Sequence, residues 1–187
     1  MWTGIEYAVA GLMIFEGMIA EARRIVKVAR GRYDGRLREG LAAGPGGNPY
    51  NELECGKFYA RAMSSWSLLI ACQGLVLDGP AGILGFKPNW QPEDHRSFFT
   101  APEGWGLFIQ TRRGGAQTDE IQVRHGRITV QELVFEAPRG TAQPKVKVTI
   151  GKAAANASVA VSGSEIRVAL AQPTTVTEGT AIQVVIS

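Results

Sequence analysis

Metal-binding and redox signatures are almost missing from this chain, whose 187 residues hold two cysteines and two histidines. Cys55 and Cys72 form no CxxC pair and have no histidine cluster beside them, which leaves neither a zinc site nor a disulfide framework to build on. No metal and no cofactor is expected. Cys72 falls in an apolar helical stretch, where a free thiol behaves as a small hydrophobe. His95 and His125 stand in loop-like surroundings and read as surface side chains. Long apolar runs are missing too: nothing approaches the roughly 20 residues of a membrane span, so no transmembrane segment is expected. Glu6 and Glu16 interrupt the N-terminal stretch that a signal peptide would keep apolar. By default this describes a cytoplasmic chain, with any leader of a longer protein lying upstream of Met1. A strong charge of one sign is also absent, since 20 Lys and Arg face 17 Asp and Glu. The basic residues are scattered, so nucleic acid is not an expected partner.

What remains is an ordinary globular composition, 45% hydrophobic and 20% charged, long enough for one substantial core or two small ones. Thr3-Gly4-Ile5-Glu6 matches a capping box and predicts a long helix from Thr3 to about Ala29. Ile5, Val9, Leu12, Met13, Ile19, Ala22, Ile25, Val26 and Ala29 recur at helical spacing along it, and Gly11 and Gly17 would mark close packing. Gly40 to Pro49 holds four glycines and two prolines and reads as a loop. A second helix is expected from Phe58 to Gln73 with Gly74 as its C-cap, giving an antiparallel helical hairpin. After Gly74 the period changes. Leu75-Val76-Leu77 and Ile83 to Phe86 flank the turn sequence Asp78-Gly79-Pro80-Ala81-Gly82 and predict a β-hairpin. Lys87 to Pro102 reads as an irregular connection. Beyond it, Val-, Ile- and Thr-rich runs at 105–111, 120–124, 127–136, 145–150, 158–161, 166–169 and 181–186 predict an antiparallel sheet or small sandwich. The fold class is thus α+β, with domains over 1–103 and 104–187. The wide apolar stripe of the first helix has one other helix to cover it, which implies further polypeptide against that face.

Between the loop and the second helix stands the densest polar block, Asn48-Pro49-Tyr50-Asn51-Glu52-Leu53-Glu54-Cys55-Gly56, followed by Tyr59, Arg61-Ala62-Met63 and Trp66. Two carboxylates, an amide and a guanidinium between a Gly/Pro loop and a helix are suited to holding a polar ligand on a rigid support. Left to themselves, Glu52 and Arg61 read as an ion pair bracing the start of the helix. Together with Trp2-Thr3-Gly4, Tyr7-Ala8, Arg32-Tyr33-Asp34-Gly35 and Asp78-Gly79-Pro80, however, the block resembles glycoside hydrolase family 116, which includes β-glucosidases and the non-lysosomal glucosylceramidase. The likeness runs in order to about residue 90.

The resemblance implies a retaining glycosidase built on an (α/α)6 barrel, with the helical part of this chain as the barrel's end. A nucleophile and a general acid/base would act on a β-glucoside substrate, and both lie upstream of the Asn-Glu-x-Glu-Cys-Gly block in the family. The chain itself would then carry no catalytic residue and would need the missing N-terminal part as a partner. Glu52 and Arg61 are implied to hold glucose hydroxyls, since a carboxylate accepts from two neighbouring hydroxyls and a guanidinium donates in a fixed fork. Asn51, Glu54 and Tyr59 would support them, and Trp2 would form an apolar wall. Asp78 reads as a turn residue. Two other readings compete: a carbohydrate-binding or assembly module stacking sugars on Trp90, Trp105 or Phe108, and a fragment without activity.

Overall fold

The computed structural model describes residues 3–31, 60–138, 141 and 143–187, with side chains described from Met63 onward in the second segment. These residues fall into two compact units, Met1–Cys72 and Gln73–Ser187. Helices followed by a large, mostly antiparallel β-structure make the fold α+β, as the periodicities predict.

In the first unit the chain forms α1 (Thr3–Phe15) and α2 (Ile19–Gly31) where one long helix was expected. The break is local. Gly17 takes a φ of 76°, a left-handed conformation that costs glycine little, and Met18 N–H donates to the Met13 carbonyl at 2.8 Å to close the turn. Gly17 therefore ends a helix, and at Gly11 a Cβ would stand 3.5 Å from Ser67 Oγ, an ordinary contact that does not require glycine. The second expected helix is shorter than its pattern: a 3-10 turn over Ala60–Ser65 leads into α3 (Trp66–Gln73). Ala10, Ile14, Ala22 and Ala71 form the small core of this unit.

The second unit has ten strands: β1 (Leu75–Asp78), β2 (Ile83–Phe86), β3 (Asp94–Ala101), β4 (Gly104–Arg113), β5 (Ala116–Glu136), β6 (Val146–Ile150), β7 (Ala153–Ala155), β8 (Ala157–Ser162), β9 (Glu165–Thr177) and β10 (Ala181–Ile186). It begins at Gln73, so β1, β2 and β3 belong to it. The hairpin β1–β2 forms as predicted. Lys87 to Pro102, expected to be irregular, contains β3. Its alternation, with His95 and Phe99 buried, was too polar to read as a strand without its neighbour β4. The two runs at 120–124 and 127–136 are one strand. A register shift between Trp105 and Gly106, which leaves Arg124 as an extra residue opposite β4, lets β5 pass on without ending.

That strand organises the fold. Its first half pairs with β4 and β10, and its second half pairs in parallel with β2 and antiparallel with β9. Two sheets result, β3-β4-β5-β10-β6-β7 and β1-β2-β5-β9-β8, sharing β5 and burying one core. Phe86 of β2 stacks on Phe108 of β4 with ring centroids 4.0 Å apart and planes 7° from parallel, so the inner faces meet directly. Phe99 meets Phe86 edge-on at 5.3 Å. At the start of the unit Gly74 has a φ of 55°, and a Cβ there would lie 2.0 Å from the Lys87 carbonyl oxygen. Gly74→Ala is expected to cost roughly 2 to 4 kcal/mol, combining left-handed strain with overpacking against backbone. A urea midpoint unchanged from the parent would refute that.

Candidate functional site

Of the residues that the sequence assigns to sugar binding, Trp2, Asn51, Glu52, Glu54 and Tyr59 lie outside the described residues. Arg61 is described in its backbone, as the second residue of the 3-10 turn Ala60–Ser65. That turn carries the exposed Met63 and runs directly into α3, whose first residue, Trp66, is also exposed. Arg61 thus stands on the 3-10 turn that leads into α3. Its meeting with Glu52 rests on the sequence.

In the second unit the polar side chains worth weighing fall into two groups. The first is a buried network on the inner face of β3, β4 and β5. His95 Nδ1 lies 2.8 Å from the Trp90 carbonyl and donates to it, while Nε2 lies 3.0 Å from Ser97 Oγ, whose own proton goes to Gln73 Oε1 at 3.0 Å. Gln110 donates to the Pro92 carbonyl at 2.7 Å, and Gln117 donates to Asp119 Oδ2 at 2.8 Å. Arg112 spans the open end, donating to Gln117 Oε1 at 2.7 Å and to the Glu136 carbonyl at 3.1 Å. His95 was expected at the surface and is instead buried, because alternation along β3 turns it inward beside Phe108. Burial holds its pKa below the usual histidine value.

Asp119 is the exception in this network. It is fully buried, its Oδ1 has no hydrogen-bond partner, and burial pushes its pKa up to about 7 against the pull of Gln117 and Arg112. It is not among the residues that the sequence singles out. The signal was present, since period two from Gln117 through Asp119 and Ile121 to Val123 places all four on one face.

The second group rims a cleft of about 350 Å³ lined mainly by Leu77, Pro80, Ile83, Pro102, Ile128 and Val130. Asp78 and Glu103 both reach it. Asp78 Oδ1 accepts from the Ala81 N–H at 3.1 Å, so the turn role expected of it holds. Glu103 is held by Arg127 at 2.6 Å, which keeps its carboxyl below the usual carboxylate range. A glycosidase general acid needs a raised pKa. Glu103 has a lowered one, and Asp119, whose pKa is raised, does not line this cleft.

Other candidates resolve simply. Burial raises the Cys72 thiol above its ordinary value, the opposite of an activated nucleophile. His125 is exposed, as expected, and lies 3.5 Å from Glu178. Trp105 is 45% exposed and faces outward, whereas Phe108 is fully buried and stacked on Phe86, which removes it as a sugar platform. Among the described residues no group of three His, Cys, Asp or Glu could hold a metal ion, and no helix is long and apolar enough to cross a membrane.

No protein-family profile matches the chain, and no curated protein matches it in sequence. Among solved structures it is similar to an alpha-L-rhamnosidase from Dictyoglumus thermophilum, at 11% identity and a TM-score of 0.39. The match covers 68% of this chain and 13% of that one, so the chain spans about an eighth of that protein's length. A likeness this weak carries no activity across, and the family 116 resemblance rests on its own residues.

Proposed function

We propose that this chain is the C-terminal part of a retaining β-glucosidase or glucosylceramidase-like enzyme, supplying Glu52 and Arg61 to a glucose subsite while the nucleophile and acid/base belong to polypeptide upstream. The reading is supported by the Asn-Glu-x-Glu-Cys-Gly sequence block and by Arg61, which follows it on the turn that opens α3. The helical unit supports it. Leu12 and Phe15 of α1, Val28 of α2 and Trp66 of α3 are all more than half exposed, an uncovered apolar area that a helical slice of a larger α/α assembly would leave. In this reading the catalytic portion runs to residue 103, so β1, β2 and β3 would be its last elements even though they pack with the strands that follow.

Selectivity would come from pairing. A pocket built to bond a hydroxyl leaves buried polar groups unpaired when the wrong epimer enters. The chain alone is expected to release no product from an aryl β-glucoside, and addition of the upstream segment to restore turnover. In the restored protein Glu52→Ala should lower kcat/KM by about two to three orders of magnitude, as expected when one side of a desolvated hydrogen-bonded pair is lost. Turnover by the chain alone would overturn the assignment. The exposed Trp105 favours one second reading, a non-catalytic carbohydrate-binding or assembly module. Calorimetry would then show sugar binding lost in Trp105→Ala and unchanged in Glu52→Ala.

A further inference from the structure

We propose that β8 is a self-association edge, at which a second copy of this chain adds its own β8 antiparallel across a two-fold axis through Ala160. The inference stands apart from the glycosidase reading. In the sheet β1-β2-β5-β9-β8 this strand pairs with β9 alone among the described residues, so its other edge is open. Edge strands in soluble proteins are usually blunted by a charge, a proline or a bulge. The stretch Ala157–Ser162 has no charged residue, no proline and no register shift.

Its side chains are also arranged for a partner. Val159 and Val161 lie opposite Val168 and Ile166, two fully buried residues of β9, and therefore point to the inner face of the sandwich. Yet they remain 40% and 44% exposed. An extended strand laid beside β8 would prolong this inner face and shield both valines.

The sequence of β8 selects a second copy as that strand. Ser158-Val159-Ala160-Val161-Ser162 reads the same in both directions. A two-fold axis at Ala160 sets Val159 against Val161 of the other copy and Ser158 against Ser162, with no like charges opposed. The backbone phase agrees. Ala171 N–H donates to the Asn156 carbonyl, so by the alternation of antiparallel ladders the even residues of β8 turn their N–H and C=O toward β9. Val159 and Val161 then present theirs to the open edge, in the phase that bonds Val159 to Val161 of the other copy. The two Ala160 residues would form a non-hydrogen-bonded pair, the kind in which side chains approach most closely.

Sedimentation velocity of the full chain over a concentration series tests this, together with cross-linking. A monomer–dimer equilibrium is expected, weakened roughly tenfold by Val161→Lys, which disturbs two symmetry-related cross-strand pairs at once. In a background lacking Cys55 and Cys72, Ala160→Cys should oxidise to a covalent dimer, while Ser158→Cys, whose two copies would be offset along the strands, should not. A chain that stays monomeric, a dimer unaffected by Val161→Lys, growth beyond dimer, or equal cross-linking at both positions would each overturn the proposal. Should Val161→Lys fail to fold, the cysteine pair decides alone.

Discussion

Phe108→Ala is expected to remove about 3 to 5 kcal/mol from the stability of the β unit, enough to unfold a domain of ordinary stability near body temperature. The ring is fully buried, stacked on Phe86 at 4.0 Å and near Phe135 at 6.4 Å. It is where the two sheets touch, so its loss leaves a cavity that neither sheet can fill without sliding along β5. Phe108→Leu keeps most of the volume and should cost much less. Urea denaturation followed in the far ultraviolet measures both. A midpoint shift in Phe108→Ala no larger than in Phe108→Leu would mean that the faces are not packed as described. The prediction also bears on function, because a sugar-stacking role for Phe108 would instead show as lost binding at unchanged stability.

Raising the pH from about 4 to 8 should destabilise the chain through Asp119, and Asp119→Asn should abolish that contribution. The sign follows from the two states. In the unfolded chain this carboxyl titrates near 3.8, whereas in the fold it holds its proton up to about 7. Between those values the folded state binds more protons, so its stability falls as pH rises and levels off above the folded value. Some three pH units of separation correspond to roughly 4 kcal/mol at most. His95 acts the other way. With its pKa lowered, it favours the fold less as the pH falls through the acid range. The clean quantity is therefore the stability of Asp119→Asn minus that of the parent, which should be small at pH 4 and grow to several kcal/mol by pH 8. Parallel pH profiles for the two proteins would show that Asp119 is not buried as a neutral acid.

Local chemistry and long-range pairing left different marks on the sequence. The hairpin β1–β2 was legible because Asp78 to Gly82 is local turn chemistry, and Asp78 does bond Ala81. β3 was not, because its strand pattern is half polar and depends on full-length pairing with β4. The split of the first helix at Gly17 hid inside an unbroken apolar period. Of the proposed sugar site, the sequence supplied residue types in order, and the element bearing Arg61 is the part that the fold adds. The buried row of Gln110, Gln117 and Asp119 went unnoticed because polar residues inside a strand ordinarily mark its solvent face.

The sequence alone determined the α+β order, the turns, the neutral palindromic β8 and the polar block around Glu52, since each depends on propensity or spacing within a few residues. Only the tertiary structure decided that β5 serves two sheets, that Phe86 stacks on Phe108, that His95 and Asp119 are sealed from water, and that Val159 and Val161 face inward yet uncovered. Those are facts of long-range pairing. Burial and proton affinity depend on which distant strands close over a side chain, and that information is spread over the whole chain rather than carried by any one segment.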